Sequence, residues 1–246
     1  MGVIGGPNIV EHKTEGNDYR LEIVYDAASV RSYPGSGTLW KNLGKLSRDK
    51  DGTLTNGPTF SDERGFLDSF GYFSFDGTND HVLFDSTTLG DGAWTIELWA
   101  WTQNAANYNL FSNDSGGPVT NSGGVVSQNM YYRNYDGSWN ANQSTETLTN
   151  HGNFIGGNIN YWNQLVFANQ ADSEMSMYNN GVKFTPSDFN SETSNGGPIN
   201  AVARNWFSYF QGDIAIFRYS SGTLSDKQIR DNYENYKRRF DQIVIP

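Results

Sequence analysis

Short runs of alternating or continuous apolar residues, separated by turn residues, fill the chain from residue 21 to residue 219. Runs of this kind are typical of β-strands, and no helical segments lie between them, as a parallel α/β sheet would need. The predicted strands are Leu21–Asp26, Gly71–Asp76, His81–Phe84, Ala93–Thr102, Tyr108–Ser112, Met130–Tyr135, Ser144–Thr149, Tyr161–Asn169, Glu174–Asn179, Val182–Thr185, Ile199–Ala203 and Phe207–Tyr219. The pattern therefore predicts an all-β fold, an antiparallel β-sandwich.

Two local patterns refine this prediction. In the run from Ala93 to Thr102, successive side chains point to opposite faces of the predicted strand. One face is apolar and the other includes Trp99 and Trp101, so we expect a central strand covered on both faces. The Asn180-Gly181 pair between two predicted strands indicates a hairpin, because such a turn needs positive φ at its central residues. Residues 32–60 are rich in turn signals, and we expect loops there.

One helix is predicted, over residues 225–240. Ser225 is placed as the N-cap, Gln228 completes a capping box, and Leu224 with Ile229 forms a hydrophobic staple. The apolar stripe of this helix consists of Ile229, Tyr233, Tyr236 and Phe240. A helix this short is marginal alone, so the stripe is expected to dock on a sheet.

Composition and charge narrow the classes of function. The net charge of −10 argues against nucleic acid as a partner, because phosphate binding needs clustered Lys and Arg. The chain has no cysteine, and it has no run of 18 apolar residues that would span a membrane. The first residues lack the features of a secretion signal, so we expect synthesis in the cytoplasm without a signal peptide.

Several segments carry a family resemblance. They are Asp26-Ala-Ala-Ser29, Ser32-Tyr-Pro-Gly-Ser-Gly-Thr-Leu-Trp40, Gly52-Thr-Leu-Thr-Asn-Gly-Pro-Thr-Phe60, Phe75-Asp-Gly-Thr-Asn-Asp-His-Val82, Gly212-Asp-Ile-Ala-Ile-Phe-Arg-Tyr219 and Thr223-Leu-Ser-Asp-Lys-Gln-Ile229. Together they resemble the LamG-like, concanavalin A-like jelly-roll domains of phage structural proteins. The resemblance covers roughly residues 5–240 and is weakest across 103–160. It implies one LamG-like domain over residues 21–246, preceded by an arm at residues 1–20 that we expect to act as a docking segment.

The resemblance implies a non-enzymatic virion protein, such as a capsid decoration, head-fibre or tail-associated protein. Its expected partners are other virion proteins, such as the capsid or tail, host surface polysaccharide and further copies of the same chain. Its expected location is the virion, without membrane insertion. A soluble lectin-like module is the alternative, and a glycoside hydrolase of the same fold is the third.

The acidic residues do not form the pattern of a hydrolase. Glycoside hydrolysis needs two carboxylates that face each other across the scissile bond. Glu97 is the one acid in its predicted strand, so a structural or surface role is the better interpretation of Glu97. The three histidines show no metal-ligand spacing, and no nucleophile elbow or P-loop occurs. We therefore expect no catalytic residues.

A structural calcium site is one hypothesis. Calcium prefers several hard oxygen ligands, and the turn Asp76-Gly-Thr-Asn79-Asp80 offers three side chains that carry them. The resemblance adds Asp213, which stands one residue earlier than the family's aspartate. An ordinary Asp/Asn turn is the alternative interpretation.

A glycan-binding surface is the second hypothesis. Sugars need flat aromatic rings and amide or carboxylate groups, and two segments of the chain are rich in both. The candidate residues are Tyr108, Tyr132, Asn134, Trp139, Asn205, Trp206 and Tyr209. The alternative is that these tyrosines belong to the core and rim of the sandwich and that the asparagines form turns.

Overall fold

A computed structural model describes most of the β-strands and the C-terminal helix. The described residues are 20–46, 50–64, 69–89, 93–103, 108–112, 119–121, 124–133, 138–145, 148–153, 161–169, 176–184, 198–204 and 208–240. For 119–153 the description concerns the backbone and its pairing. The predicted arm at residues 1–20 lies, apart from Arg20, outside the described residues.

The described residues form seventeen strands and one helix. In chain order they are β1 Arg20–Asp26, β2 Leu39–Trp40, β3 Gly52–Thr55, β4 Thr59–Arg64, β5 Ser69–Asp76, β6 His81–Thr88, β7 Trp94–Trp101, β8 Tyr108–Ser112, β9 Val119–Asn121, β10 Gly124–Arg133, β11 Ser138–Thr145, β12 Leu148–Asn153, β13 Asn163–Asn169, β14 Ser176–Asn179, β15 Val182–Phe184, β16 Pro198–Val202, β17 Gln211–Ser221 and α1 Asp226–Phe240.

Two antiparallel sheets form a sandwich, as the sequence predicted. The first sheet has the order β15-β14-β13-β7-β17-β5-β4, with β1 also paired to β17. The second sheet has the order β12-β11-β10-β8-β16-β6-β3-β2, with β9 paired to β10. Several central pairs, such as β13 with β7, β7 with β17 and β8 with β16, join strands distant in the chain, so the fold depends on long-range pairing.

The core between the sheets is rich in aromatic rings. Tyr25 stacks with Trp40 at 5.3 Å between ring centroids and with Phe217 at 5.8 Å. Phe111 of the second sheet meets Phe167 of the first edge to face at 6.0 Å. Full burial of a side chain of this size contributes about 1.5–3 kcal/mol relative to exposure.

Strand β7 is buried along its whole length. One face belongs to the core between the sheets, where Ile96 and Leu98 are fully buried. The other face lies under helix α1, where Trp99 stacks on Phe240 at 4.1 Å between ring centroids. The prediction of a central strand covered on both sides is confirmed.

Helix α1 begins as the sequence predicted. The backbone N–H of Ser225 donates to the side-chain oxygen of Gln228 at 2.8 Å, and the N–H of Gln228 donates to Ser225 Oγ at 3.3 Å. Leu224 and Ile229 are buried in the same apolar cluster, which is the predicted staple. These contacts fix the helix start against β13 and β14.

The far end of α1 is held by an ion pair. Arg239 donates to both carboxylate oxygens of Asp26, at 3.0 and 2.8 Å, and both side chains are buried. The same carboxylate accepts the N–H of Ala28 at 3.0 Å. Of the basic residues in the last helical turn, Arg239 therefore has a structural role, because its bidentate pair with Asp26 holds the helix end to the sheet.

The Asn180-Gly181 hairpin is confirmed, with φ of +51° and +75° at its two central residues. The turn lies against α1, because a Cβ added to Gly181 would come within 3.1 Å of the Tyr233 Cβ. Glycine is therefore needed for its backbone conformation and for the close approach of the helix.

The sequence prediction was wrong in three regions. It placed no strand at β9, in β10 before Met130 or at residues 138–143 of β11. Residues 32–60 were expected to be loops, but they include β2, β3 and the start of β4. These strands are only two to six residues long, too short for alternation to outweigh their Gly, Thr and Asn turn signals. The predicted strand Ser144–Thr149 is divided between β11, which ends at Thr145, and β12, which begins at Leu148. Its polar residues gave no periodic signal for the break.

Candidate functional site

Glu97 lies beneath helix α1 and is 2% exposed. Its Oε1 accepts hydrogen bonds from Trp99 Nε1 at 3.2 Å and from Gln164 Nε2 at 3.0 Å. Its Oε2 accepts from Asn232 Nδ2 at 3.2 Å and from Arg218 Nη1 at 3.4 Å. Both oxygens are therefore occupied by donors from three strands and the helix.

The neighbours of Glu97 also join helix α1 to the first sheet. The guanidinium of Arg218 lies 4.4 Å from the centroid of the Tyr236 ring, a cation–π contact. Gln164 Oε1 accepts the backbone N–H of Gly181 at 3.0 Å. This arrangement is a buried polar network, and it confirms the structural interpretation of Glu97 rather than the surface one.

The turn Asp76–Asp80 connects β5 and β6 and is closed by its own side chains. Asp76 Oδ1 accepts the backbone N–H groups of Thr78, Asn79 and Asp80, at 2.7, 3.1 and 3.3 Å. Asp80 Oδ2 accepts the N–H of Asp76 at 3.2 Å. These bonds form a compact Asx-type turn.

The pKa values of the two carboxylates in this turn are shifted in opposite directions. Desolvation raises the pKa of Asp76, but the backbone N–H groups outweigh it and leave that pKa lowered overall. Burial, followed by the charge of Asp76, raises the pKa of Asp80 above its ordinary value. Asp80 is 6% exposed, whereas Asp76 is exposed to solvent.

Asp213 lies near this turn on the adjacent strand β17. It is paired directly with Ser74, while Gln211 is paired with Asp76, so Asp213 and Asp76 share one face of the sheet. Asp213 Oδ1 accepts the hydroxyl of Ser74 at 2.6 Å. The position of Asp213 in the sheet is therefore compatible with a site shared with the turn.

Internal donors already use several of the oxygens proposed as calcium ligands. The carbonyl of Asn79 accepts Asn56 Nδ2 at 2.9 Å, in addition to the donors on Asp76, Asp80 and Asp213 described above. Among the residues that the structure describes, no group of three or more His, Cys, Asp or Glu side chains is arranged to hold a metal ion. Calcium would have to displace these donors, and the calcium site stays a prediction.

A cluster at the same end of the sandwich consists of His81, Arg204 and Tyr209, here called the end cluster. His81 Nδ1 lies 2.7 Å from the carbonyl oxygen of Asn79, and its Nε2 lies 2.9 Å from Arg204 Nη1. A carbonyl accepts and a guanidinium donates, so Nδ1 carries the proton and the ring is neutral. The Arg204 guanidinium lies 5.3 Å from the centre of the Tyr209 ring.

The end cluster adjoins strand β8 at the middle and last residues of that strand. The N–H of Ala203 donates to the carbonyl of Leu110 at 2.8 Å, and Ser112 Oγ donates to the carbonyl of Arg204 at 2.5 Å. Of the predicted glycan-binding residues, Tyr209 belongs to this cluster and is half-buried. Asn134, Asn205 and Trp206 lie outside the described residues.

The remaining predicted glycan-binding residues share one row of the second sheet. Tyr108 of β8 is directly opposite Tyr132 of β10, which is directly opposite Trp139 of β11. Directly opposed residues lie on the same face, so these three aromatic positions are adjacent on one face. The sequence could not show this row, because it depends on the pairing of three separate strands.

Sequence reasoning missed the role of His81. The three histidines show no metal-ligand spacing, and Arg204, which contacts His81, is 123 residues away in the chain. Nothing in the sequence indicates that Arg204 contacts a histidine. No local signal could have found this pair.

Comparison with known families places the chain in a large fold family. Residues 76–230, more than half of the chain, match Laminin_G_3, described as the Concanavalin A-like lectin/glucanases superfamily. No curated protein matches the sequence. No described helix is long and apolar enough to cross a membrane.

Solved structures agree with this assignment at the level of fold. Domain 4 of AbnA, a GH43 extracellular arabinanase from Geobacillus stearothermophilus in complex with arabinotriose, is similar with a TM-score of 0.61 at 16% identity, over 87% of this chain and 98% of that one. The binding domain of Paraclostridial Mosquitocidal Protein 1 is similar with a TM-score of 0.59 at 12% identity, over 88% of this chain and 52% of that one.

A sialidase provides a third comparison. Trypanosoma rangeli sialidase in complex with sialic acid is similar with a TM-score of 0.58 at 8% identity, over 89% of this chain and 33% of that one. This chain therefore corresponds to about a third of the sialidase. At such identities the likeness shows the fold and not the activity.

Proposed function

The chain belongs to the Concanavalin A-like lectin/glucanases superfamily, and we propose that within it the protein is a non-catalytic carbohydrate-binding module. The observation that carries this proposal is the end cluster, in which the ring of the half-buried Tyr209 lies 5.3 Å from the Arg204 guanidinium. Tyr108, Tyr132 and Trp139 add three directly opposed aromatic positions on β8, β10 and β11. Aromatic rings bind the apolar faces of sugars, and nearby amides and charged groups bind their hydroxyls.

The geometry of the acids supports a binding role rather than hydrolysis. The carboxylate of Glu97 lies under a helix and accepts four hydrogen bonds, so it is not available to protonate a leaving group. Asp76 and Asp80 differ in pKa, but both are engaged in closing their own turn. With these contacts, neither Glu97 nor the Asp76–Asp80 pair is free to act as the paired acids of a glycosidase.

The likeness to a domain solved with arabinotriose supports the same proposal. That domain is nearly the size of this chain, since 98% of it is covered. A domain of this size, attached to or acting beside other proteins, can contribute affinity for a polysaccharide without chemistry of its own.

We also propose a setting for this module, as a component of a phage virion. The support is the set of sequence segments that resemble phage LamG-like domains, chiefly 32–40, 52–60 and 75–82. In that setting one surface docks on the capsid or tail, and the end of the sandwich that carries the end cluster faces host polysaccharide. Co-purification of the chain with intact particles would support this setting, and its absence from purified particles would contradict it.

Titration against a polysaccharide panel tests the binding function. We expect saturable binding of the purified chain to at least one glycan, and Tyr209→Ala should weaken it roughly 3- to 10-fold, the value of one aromatic contact. Tyr161→Ala is the matched control, because Tyr161 is 65% exposed and is not part of the end cluster. Absence of binding across the panel, or release of sugar products, would overturn the proposal.

A further inference from the structure

An Asn-Gly pair, Asn56-Gly57, forms the corner at which the chain passes from one sheet to the other. Strand β3 before it belongs to the second sheet, and strand β4 after it belongs to the first. Both residues are exposed and have positive φ, +65° at Asn56 and +106° at Gly57. A Cβ added to Gly57 would meet no atom within 4 Å. The backbone around Gly57 is therefore open to solvent.

An exposed hydrogen bond holds the side chain of Asn56. Its Nδ2 donates to the carbonyl oxygen of Asn79 at 2.9 Å. Among the described residues, none accepts a hydrogen bond from the Gly57 N–H. The Gly57 nitrogen can therefore approach the Asn56 Cγ without first breaking a hydrogen bond of its own.

A second Asn-Gly pair, Asn180-Gly181, has both of its reacting groups held by the fold. Asn180 Oδ1 accepts the backbone N–H of Gln164 at 2.9 Å, and Asn180 Nδ2 donates to Asn163 Oδ1 at 3.4 Å. The N–H of Gly181 donates to Gln164 Oε1 at 3.0 Å, and this bond is buried. The nitrogen that would have to attack is therefore occupied, and the Asn180 amide is fixed through both of its polar atoms.

We propose that Asn56 is a site of covalent modification, namely spontaneous deamidation through a cyclic imide. Asparagine is a thermolabile residue, and a following glycine adds no side chain that would obstruct the reaction. Solvent base removes the Gly57 amide proton, and the nitrogen then attacks the Asn56 Cγ. A bond forms between this nitrogen and Cγ, the Cγ–Nδ2 bond breaks, and ammonia leaves after it takes a proton from water.

Water completes the reaction by opening the imide ring. Attack of water at Cγ gives aspartate at residue 56. Attack at the main-chain carbonyl of the same residue gives isoaspartate, in which the chain continues through the former side chain. In both cases one amide and one water become one carboxylic acid and one ammonia, so no oxidant or reductant is needed.

The modification changes a contact next to the end cluster. The Asn79 carbonyl that accepts Asn56 Nδ2 also lies 2.7 Å from His81 Nδ1. Deamidation replaces the Nδ2 donor by a carboxylate oxygen, and two acceptors then face each other. Repulsion between them therefore loosens the Asp76–Asp80 turn, of which Asn79 is a part.

The alternative is that Asn56 serves only the turn, because asparagine tolerates positive φ better than most residues do. That use predicts an Asn56 amide that persists in the folded chain as long as the Asn180 amide. The two explanations therefore differ in a rate that can be measured for both residues in one sample.

The test follows both pairs in the full chain. Purified chain is incubated in mildly alkaline buffer, digested at acidic pH and mapped by mass spectrometry, which separates the acid form of each peptide from the amide form. A second sample is incubated in urea, where neither pair has its folded contacts. Asn56→Gln is the matched control variant, because it keeps the amide but would have to close a larger ring. The Asn195-Gly196 pair lies outside the described residues, and its peptide is measured separately.

We expect the Asn56 peptide of the folded chain to convert at least about tenfold faster than the Asn180 peptide, because the buried Gly181 hydrogen bond must open before Asn180 reacts. In urea the two rates should converge, and Asn56→Gln should abolish conversion at residue 56. Equal rates in the folded chain would overturn the proposal. So would an Asn56 amide that persists in the folded chain while both amides convert in urea.

Asn56→Asp imitates the aspartate product and tests its effect on the turn. This variant should melt at a lower temperature than the unaltered chain, because its carboxylate faces the Asn79 carbonyl. A melting temperature equal to that of the unaltered chain would refute the loosening of the Asp76–Asp80 turn.

Discussion

Replacement of Glu97 by alanine should be among the most destabilising single changes in this fold. Its carboxylate lies 3.4 Å from the Arg218 guanidinium, and the side chains are 3% and 7% exposed. At an effective dielectric of about 20, this separation corresponds to a Coulomb attraction of about 5 kcal/mol, which desolvation partly offsets. Truncation removes the charge that compensates a buried guanidinium, and such changes cost about 3–5 kcal/mol.

Glu97→Gln separates the charge from the volume of the side chain. An amide keeps one acceptor oxygen, but it adds two donors where Trp99, Gln164 and Asn232 already donate. We therefore expect Glu97→Gln to lose more than half of the stability that Glu97→Ala loses. The free energy of unfolding is measured by urea denaturation followed by tryptophan fluorescence.

The matched control is Glu234→Ala on the exposed side of the same helix. Glu234 pairs with Lys237, and its side chain is 53% exposed, so the change should stay within about 0.5 kcal/mol of the unaltered chain. If Glu97→Ala also stays within about 1 kcal/mol of the unaltered chain, the network under the helix does not hold the fold together.

Three further predictions follow from particular residues. Gly181→Ala should cost about 1–2 kcal/mol for its positive φ. It should cost more than Gly35→Ala, because Gly35 has no atom within 4 Å of its would-be Cβ; equal costs in urea denaturation would contradict the close approach of the helix. Asp76→Asn should destabilise at neutral pH and lose that effect as pH falls below about 4, because the lowered pKa of Asp76 contributes stability only while the group is ionised; a difference that does not vary with pH would refute this. If calcium occupies the Asp76–Asp80 turn, chelation should lower the melting temperature, and an unchanged melting temperature would remove the calcium hypothesis.

Much of the fold could be predicted from local signals. The capping box at Ser225, the staple and the Asn180-Gly181 turn each depend on neighbours within a few residues, and all were confirmed. The double coverage of β7 was visible because large apolar residues alternate on both of its faces. Such features need no knowledge of distant parts of the chain.

The candidate sites were harder, because they depend on long-range register. Which residues face Tyr132 is decided by β8 and β11, and the contact of His81 with Arg204 joins residues 123 positions apart.

Isothermal titration of the chain with a glycan from the panel, followed for hours after saturation, tests the central claim most directly. A non-catalytic binding module should give heats that saturate and then return to a flat baseline, with the saturation weakened by Tyr209→Ala. Absence of binding heat for every glycan, or a heat flow that continues while sugar products accumulate, would contradict the account.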